Sequence, residues 1–127
     1  MKTAIGNAKP AESCDCIDLM FRAFSDRTRL RILYLLQGEE HCVGDIVETL
    51  LVPQPRASQH LAYLRKAGLV RVHKSGLWSY YSLAPAESPF HRKLLECLAN
   101  CFGDVPEIRQ DAARAAKIKK SGGCCPP

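Results

Sequence analysis

"PRASQHLAYLRKAGLVRVHKSGLWSYYSL", residues 55–83, carries two periodicities in succession. In the first half Pro55 suits the first turn of a helix, Leu61 and Leu64 recur at helical spacing, and Gly68 ends the run. In the second half apolar and polar residues alternate around a Ser75-Gly76 turn, the pattern of a β-hairpin. Just upstream, "HCVGDIVETL" (41–50) predicts another helix, opening on Cys42 and running to about Leu51, with Val43, Ile46, Val47 and Leu50 inward. "VPQP" separates the two helices. Two short helices across a tight turn, followed directly by a two-stranded ribbon, define a winged helix-turn-helix.

The charge distribution points the same way. The 127-residue chain is long enough for one domain with a single core and carries a formal charge of +5. No Asp or Glu occurs between Thr49 and Ala86, where Arg56, Arg65, Lys66, Arg71 and Lys74 lie. Elsewhere the remaining basic residues are matched by the 13 acidic ones, so the net charge belongs to the second helix and the wing. A localised basic surface of this kind is the footprint of nucleic-acid binding. A merely solvated basic face is the alternative that composition leaves open.

Outward from this unit the chain is mainly α. A helix is expected over about Asp15 to Phe24. A second, "SDRTRLRILYLLQG" (25–38), has Ser25 as its N-cap and Gly38 beyond its last turn. "SPFHRKLLECLANCF" (88–102) places Phe90, Leu94, Leu95, Leu98 and Phe102 on one broad face, and helix resumes near Asp104 with Pro106 in its first turn. The expected organisation is a flexible leader (1–13), one winged-helix domain (14–118) and a flexible, Cys-containing tail (119–127) ending in "SGGCCPP". The N-terminus lacks the apolar run of a signal peptide, and no stretch is long and apolar enough for a membrane span, so a cytoplasmic location is expected.

Seven cysteines, at 14, 16, 42, 97, 101, 124 and 125, are an odd number for a reducing compartment and argue for metal binding or redox chemistry. Cys42 stands at the mouth of its helix, where backbone N–H groups favour a thiolate. Cys97 and Cys101, four residues apart, share a helical face. Together they are a second candidate soft-ion site, which Cys124 and Cys125 can complete; core packing is the competing reading. No Cys-x-x-Cys, phosphate-cradling glycine loop or nucleophile set beside a base argues for an enzyme.

"SDRTRLRILYLL", "HCVGDIVETL", "VPQPRASQHLAYLRKAGLV" and "GLWSYYSL", in this order, resemble the ArsR/SmtB family of metal-responsive winged-helix repressors over about residues 17 to 102. The resemblance implies a homodimer, joined through the first and last core helices, on a twofold operator in double-stranded DNA. It places Gln54, Arg56, Ser58, Gln59 and His60 toward DNA, with Arg65, Arg71 and Lys74 as candidate backbone contacts. His60 has a packed alternative, and Trp78 is expected to pack the hairpin.

Arsenite sensors of the family carry Cys-x-Cys at the start of the helix before recognition. Here the motif is Cys42-Val43-Gly44, so other sulfurs are needed. Family members that complete such a site with N-terminal cysteines make Cys14, Cys16 and Cys42 the first candidate set. Three thiolates suit As(III) or Sb(III), and soft sulfur also accepts Cd(II) and Pb(II). A persulfide or redox switch of the same fold is the alternative. The family's zinc ligands have no match beyond His91, expected at a surface or interface.

Overall fold

The computed structural model describes residues 14–123, with side chains from residue 16 onward. Its elements are α1 (Cys14–Phe24), α2 (Arg27–Leu35), β1 (His41–Cys42), α3 (Val43–Leu50), α4 (Gln54–Lys66), β2 (Val70–Ser75), β3 (Trp78–Leu83), α5 (Pro89–Cys101) and α6 (Pro106–Lys120). The winged helix-turn-helix expected from residues 41–83 is present, within a mainly α fold. No helix of the described residues is long and apolar enough to cross a membrane.

The core follows the helical stripes. Ile46 and Leu50 of α3 and Ala57, Leu61 and Leu64 of α4 are buried, together with Met20 of α1, Ile32 and Leu33 of α2, and Leu98 of α5. Burial of this one stripe on each helix leaves the opposite face of α4 outside. α3 ends at Leu51, which adopts a left-handed conformation (φ 58°). Gly68, at φ 80°, turns the chain from α4 into the wing.

Several local signals resolve differently from their sequence reading. Asp26 caps α2, accepting a hydrogen bond from the Arg29 N–H at 3.0 Å, while Ser25 Oγ donates to the Arg22 carbonyl at 2.7 Å. Either residue can cap a helix; the aspartate also places negative charge at the positive helix end. The hairpin loop is Gly76-Leu77, because Ser75 still pairs with Trp78 at the end of β2. Gly76 at φ 62° fills the first loop position, where a left-handed residue suits the strand twist. The wing also gains a third strand, in the order β1-β3-β2, with His41 opposite Tyr81 and Cys42 opposite Tyr80. Cys42 therefore both ends a strand and caps α3.

α6 is held by charge as well as by Ile108, which is buried in the core. Asp111, only 4% exposed, accepts from Arg31 Nε (2.8 Å) and Nη2 (2.9 Å) and from Arg114 Nη2 (2.9 Å). Arg31 Nη2 also donates to the Leu50 carbonyl (2.7 Å), and Arg114 Nε to that of Thr49 (2.6 Å). These carbonyls end α3, where cations complement the helix dipole and supply donors. The hydrogen bond to Asp111 raises the Arg31 pKa against the opposing effect of burial.

At its far end α6 is tied by Lys119 Nζ to Glu39 (2.7 Å), the bond that most lowers the Glu39 pKa. Near its start it is tied by an Arg27–Glu107 ion pair. The helix runs through residue 119, where the tail was expected to begin, and closes in a Schellman motif. Gly122 N–H donates to Lys119 O (3.1 Å) and Gly123 N–H to Ile118 O (2.8 Å). Residues 1–13 and 124–127 lie outside the described residues.

Asp111→Ala should cost about 3 kcal/mol, because it leaves the Arg31 guanidinium buried without its carboxylate. Chemical denaturation of the variant and of the parent protein measures the difference.

Candidate DNA interface and cysteine sites

Gln54, Arg56, Ser58 and Gln59 lie exposed on the outer face of α4, on the turns that the buried Ala57 and Leu61 fix in place. Arg65 and Lys66 follow on the last turn, and Arg71 and Lys74 are exposed on β2. Among the described residues none of Arg56, Arg65, Lys66, Arg71 and Lys74 forms an ion pair. Their charge is therefore available to an external anion. At the wing tip Leu77 is fully exposed and Trp78 37% exposed, so the indole is only partly packed.

His60 turns inward. It is half-buried, with Nδ1 at 3.5 Å from Arg29 Nη1 and Nε2 at 3.9 Å from the Asp26 carboxylate. Arg29 also stacks over the Tyr63 ring, 4.2 Å from its centroid. This geometry favours neutral His60, with Nδ1 accepting from Arg29. Burial lowers its pKa, and Arg29 and Arg56 add to that, against the opposing pull of Asp26. The packed alternative thus describes the side chain's position in the protein without DNA, on the rear of the recognition helix.

His91 is buried at 1% exposure rather than at a surface. Its Nδ1 accepts from the Glu87 N–H (3.3 Å), and its own N–H is held by the Ser88 N-cap of α5 (3.1 Å). Among the described residues its Nε2 has no hydrogen-bond partner. Burial lowers the pKa of His91, as it does that of His41 beside Cys42.

The cysteines occupy three places. Cys42 is 1% exposed at the start of α3 and is disulfide-bonded, whereas Cys16, Cys97 and Cys101 carry no disulfide. Cys97 and Cys101 meet on α5, where the hydrogen bond from Cys101, followed by burial, raises the Cys97 thiol pKa. Cys16 lies half-buried on α1, which packs on α2 and α4. The side chain of Cys14 and all of Cys124 and Cys125 fall outside the description. Among the described residues no three His, Cys, Asp or Glu side chains converge as a metal site.

Between α2, α3 and α6 is a cavity of about 620 Å³, lined by Arg31, Glu39, His41, Asp45, Asp111 and Gly123 among others. Sequence reasoning did not single out Arg31, Asp111 or this cavity. Nothing local distinguishes charged residues that are buried in pairs from ones that stay in water.

Residues 26–72 match the model of the bacterial regulatory protein arsR family. The chain is 37% identical over 97 residues to the arsenical resistance operon repressor of Escherichia coli K12, covering 75% of this chain and 83% of that one. Among solved structures it is similar to NolR from Sinorhizobium fredii (TM-score 0.59, 28% identity, 81% and 98% of the two chains). It is also similar to reduced HlyU from Vibrio cholerae N16961 (TM-score 0.58, 31% identity, 68% and 90%).

Arg56→Ala and Lys74→Ala should each weaken DNA binding and flatten the plot of log affinity against log salt by about one unit per lost phosphate contact. Fluorescence anisotropy over a salt series reads this, with Lys93→Ala on α5 as the control. The lowered pKa values of His41, His60 and His91 set a sign for acid stability. On acidification the unfolded chain takes up these protons first, so stability should fall as pH drops through the ordinary histidine range, from about 7.5 to about 5.5. Urea midpoints at the two ends measure it; a flat profile would count against neutral histidines at these three partly or fully buried positions.

Proposed function

Because the chain belongs to the arsR family of bacterial regulators, we propose that it is a homodimeric repressor that leaves its operator when cysteine thiolates bind As(III) or Sb(III). The observation that carries the reading is the position of Cys42. It caps α3, pairs with β3 of the wing, and lies one helix from the DNA-facing residues of α4. A ligand pulling on this sulfur therefore acts on both DNA-contacting parts at once.

The arsenical repressor relative supports the choice of inducer. Trivalent arsenic and antimony prefer three soft thiolates, which leave the lone pair its own direction, and Cd(II) or Pb(II) can compete for the same donors. Cys14 and Cys16 remain the N-terminal donors and Cys97 and Cys101 the α5 pair. Dimerisation through α1 and α5 is supported by Phe21 of α1, 57% exposed and 5.1 Å from the Phe90 ring of α5. Gln54, Arg56, Ser58 and Gln59 would read or position DNA, and Arg65, Arg71 and Lys74 would grip phosphate. His60 would support the recognition helix from behind and reach DNA only by turning outward.

Inducer binding would act by linkage, favouring a dimer shape in which the two recognition helices no longer match successive grooves. A coupling of about 1–3 kcal/mol gives roughly 5- to 150-fold loss of operator affinity. One observation favours a second reading: the disulfide at Cys42 is what a thiol-redox or persulfide-responsive repressor would use.

Anisotropy titration of the thiol-reduced protein on its own promoter DNA separates the readings. As(III) and Sb(III) should release the DNA, and Cys42→Ser should abolish release while leaving DNA affinity unchanged. Release by polysulfide alone would replace arsenic sensing with the redox switch.

A further inference from the structure

We propose that Leu77, at the tip of the wing, is an apolar wedge that enters the minor groove of double-stranded DNA and partly unstacks one base step, with Trp78 covered beside it. The role rests on the repressor reading for its partner. It adds to that reading a contact that carries no charge and that bends the DNA.

The fold does not require a leucine at this position. Ser75 pairs with Trp78, so Gly76 and Leu77 are the two central residues of the hairpin turn. Gly76 stands at φ 62°, whereas Leu51 is the one non-glycine with positive φ among the described residues, so Leu77 keeps a negative φ. This is the pattern of a type II′ turn, which needs glycine at the first central position and readily takes Asn, Asp or Ser at the second. Leu77 is nevertheless fully exposed, next to the part-exposed Trp78. Phe21 and Leu51, the other exposed large apolar residues among the described ones, lie apart from it on α1 and at the end of α3. An apolar side chain held out in water stabilises nothing in its own chain; it contributes only when a partner removes it from water.

The surroundings of the tip select the partner. Residues paired across the ribbon share a face, so Arg71, His73, Ser75 and Trp78 lie on one side of the wing and Val70, Val72 and Lys74 on the other. Arg71 and Lys74 are therefore exposed on opposite faces behind an apolar tip, and neither strand contains an acid. Among the described residues neither cation forms an ion pair, while His73 is engaged by Glu40 at 3.0 Å and by the Tyr80 ring. A thin ribbon with an apolar edge and a cation on each side matches the minor groove, about 6 Å wide, whose base edges lie between two phosphate backbones. Apolar side chains inserted there between base steps kink the duplex, and the bend brings more DNA against the protein.

The tip is also held in a fixed place. β3 pairs with β1, which leads through Cys42 into α3, and α3 packs on α4. A recognition helix seated in the major groove thus carries the wing tip with it.

Trp78 is the only tryptophan of the chain, so its fluorescence reads the tip directly. The full, thiol-reduced protein is titrated with its own promoter DNA, and acrylamide quenching of Trp78 should fall at saturation. Leu77→Ser should bind this DNA about 10-fold more weakly, through loss of one buried leucine contact, with an unchanged melting temperature. Its plot of log affinity against log salt should keep the parental slope, because no phosphate contact is lost, whereas Lys74→Ala flattens that plot. Energy transfer between the ends of the promoter fragment should report a bend of about 20–90° with the parent protein, lost with Leu77→Ser and kept with Leu77→Phe. Undiminished quenching at saturation, a straight parental complex, or a Leu77→Ser variant with parental affinity and bend overturns the wedge and leaves the repressor reading standing. A parent protein that does not bind the DNA removes both.

Discussion

The carboxylate of Asp111 is what makes the last helix part of the fold. Buried among Arg31 and Arg114, it lets two guanidinium groups reach the carbonyls at the end of α3. Such a cluster is stable only as a whole, since each charge has given up water for its partners. Its effect is positional. Among the described residues of α6 Ile108 is the one fully buried large apolar side chain, with Ile118 part-buried, and two more exposed ion pairs add to them in setting its angle against α2 and α3.

That constraint orders the rest. α3 is fixed at its far end by arginines from α2 and α6, and at its near end it merges with β1 and through it with the wing. α4 is then placed by burial of Ala57, Leu61 and Leu64, which leaves its polar face outward. Recognition helix and wing thus share one support, α3 with its cap. Cys42 touches both, ending β1 against β3 and opening α3.

Much of this was legible in the sequence. Leu61, Leu64, Gly68 and the alternation after it specify helix, stop and hairpin through local rules, and the acid-free segment marks the outer surface. The lost details depend on tertiary contact. A two-residue β1 has no periodicity to detect and exists only because β3 offers it a partner. His60 and His91 carry no local mark of which way they face. Arg31 and Asp111, 80 residues apart, resemble any solvated pair until folding brings them together. For the cysteine sites, the sequence supplied spacing within each pair but not which pair meets which.

The division of charge has a kinetic meaning. Around the cavity under α6 acids and bases offset one another, Asp111 with Arg31 and Arg114 and Glu39 with Lys119, whereas α4 and the wing strands carry basic residues and no acid at all, so the net charge sits at one end. The molecule is therefore an electric dipole as well as a cation. Near a polyanion such a dipole experiences a torque as well as an attraction, which turns its basic end forward before any contact forms. Orientation is commonly the step that holds protein association far below the diffusion limit. Pre-alignment of this kind would shorten the search for DNA at low ionic strength, and salt would slow it by erasing the torque together with the attraction.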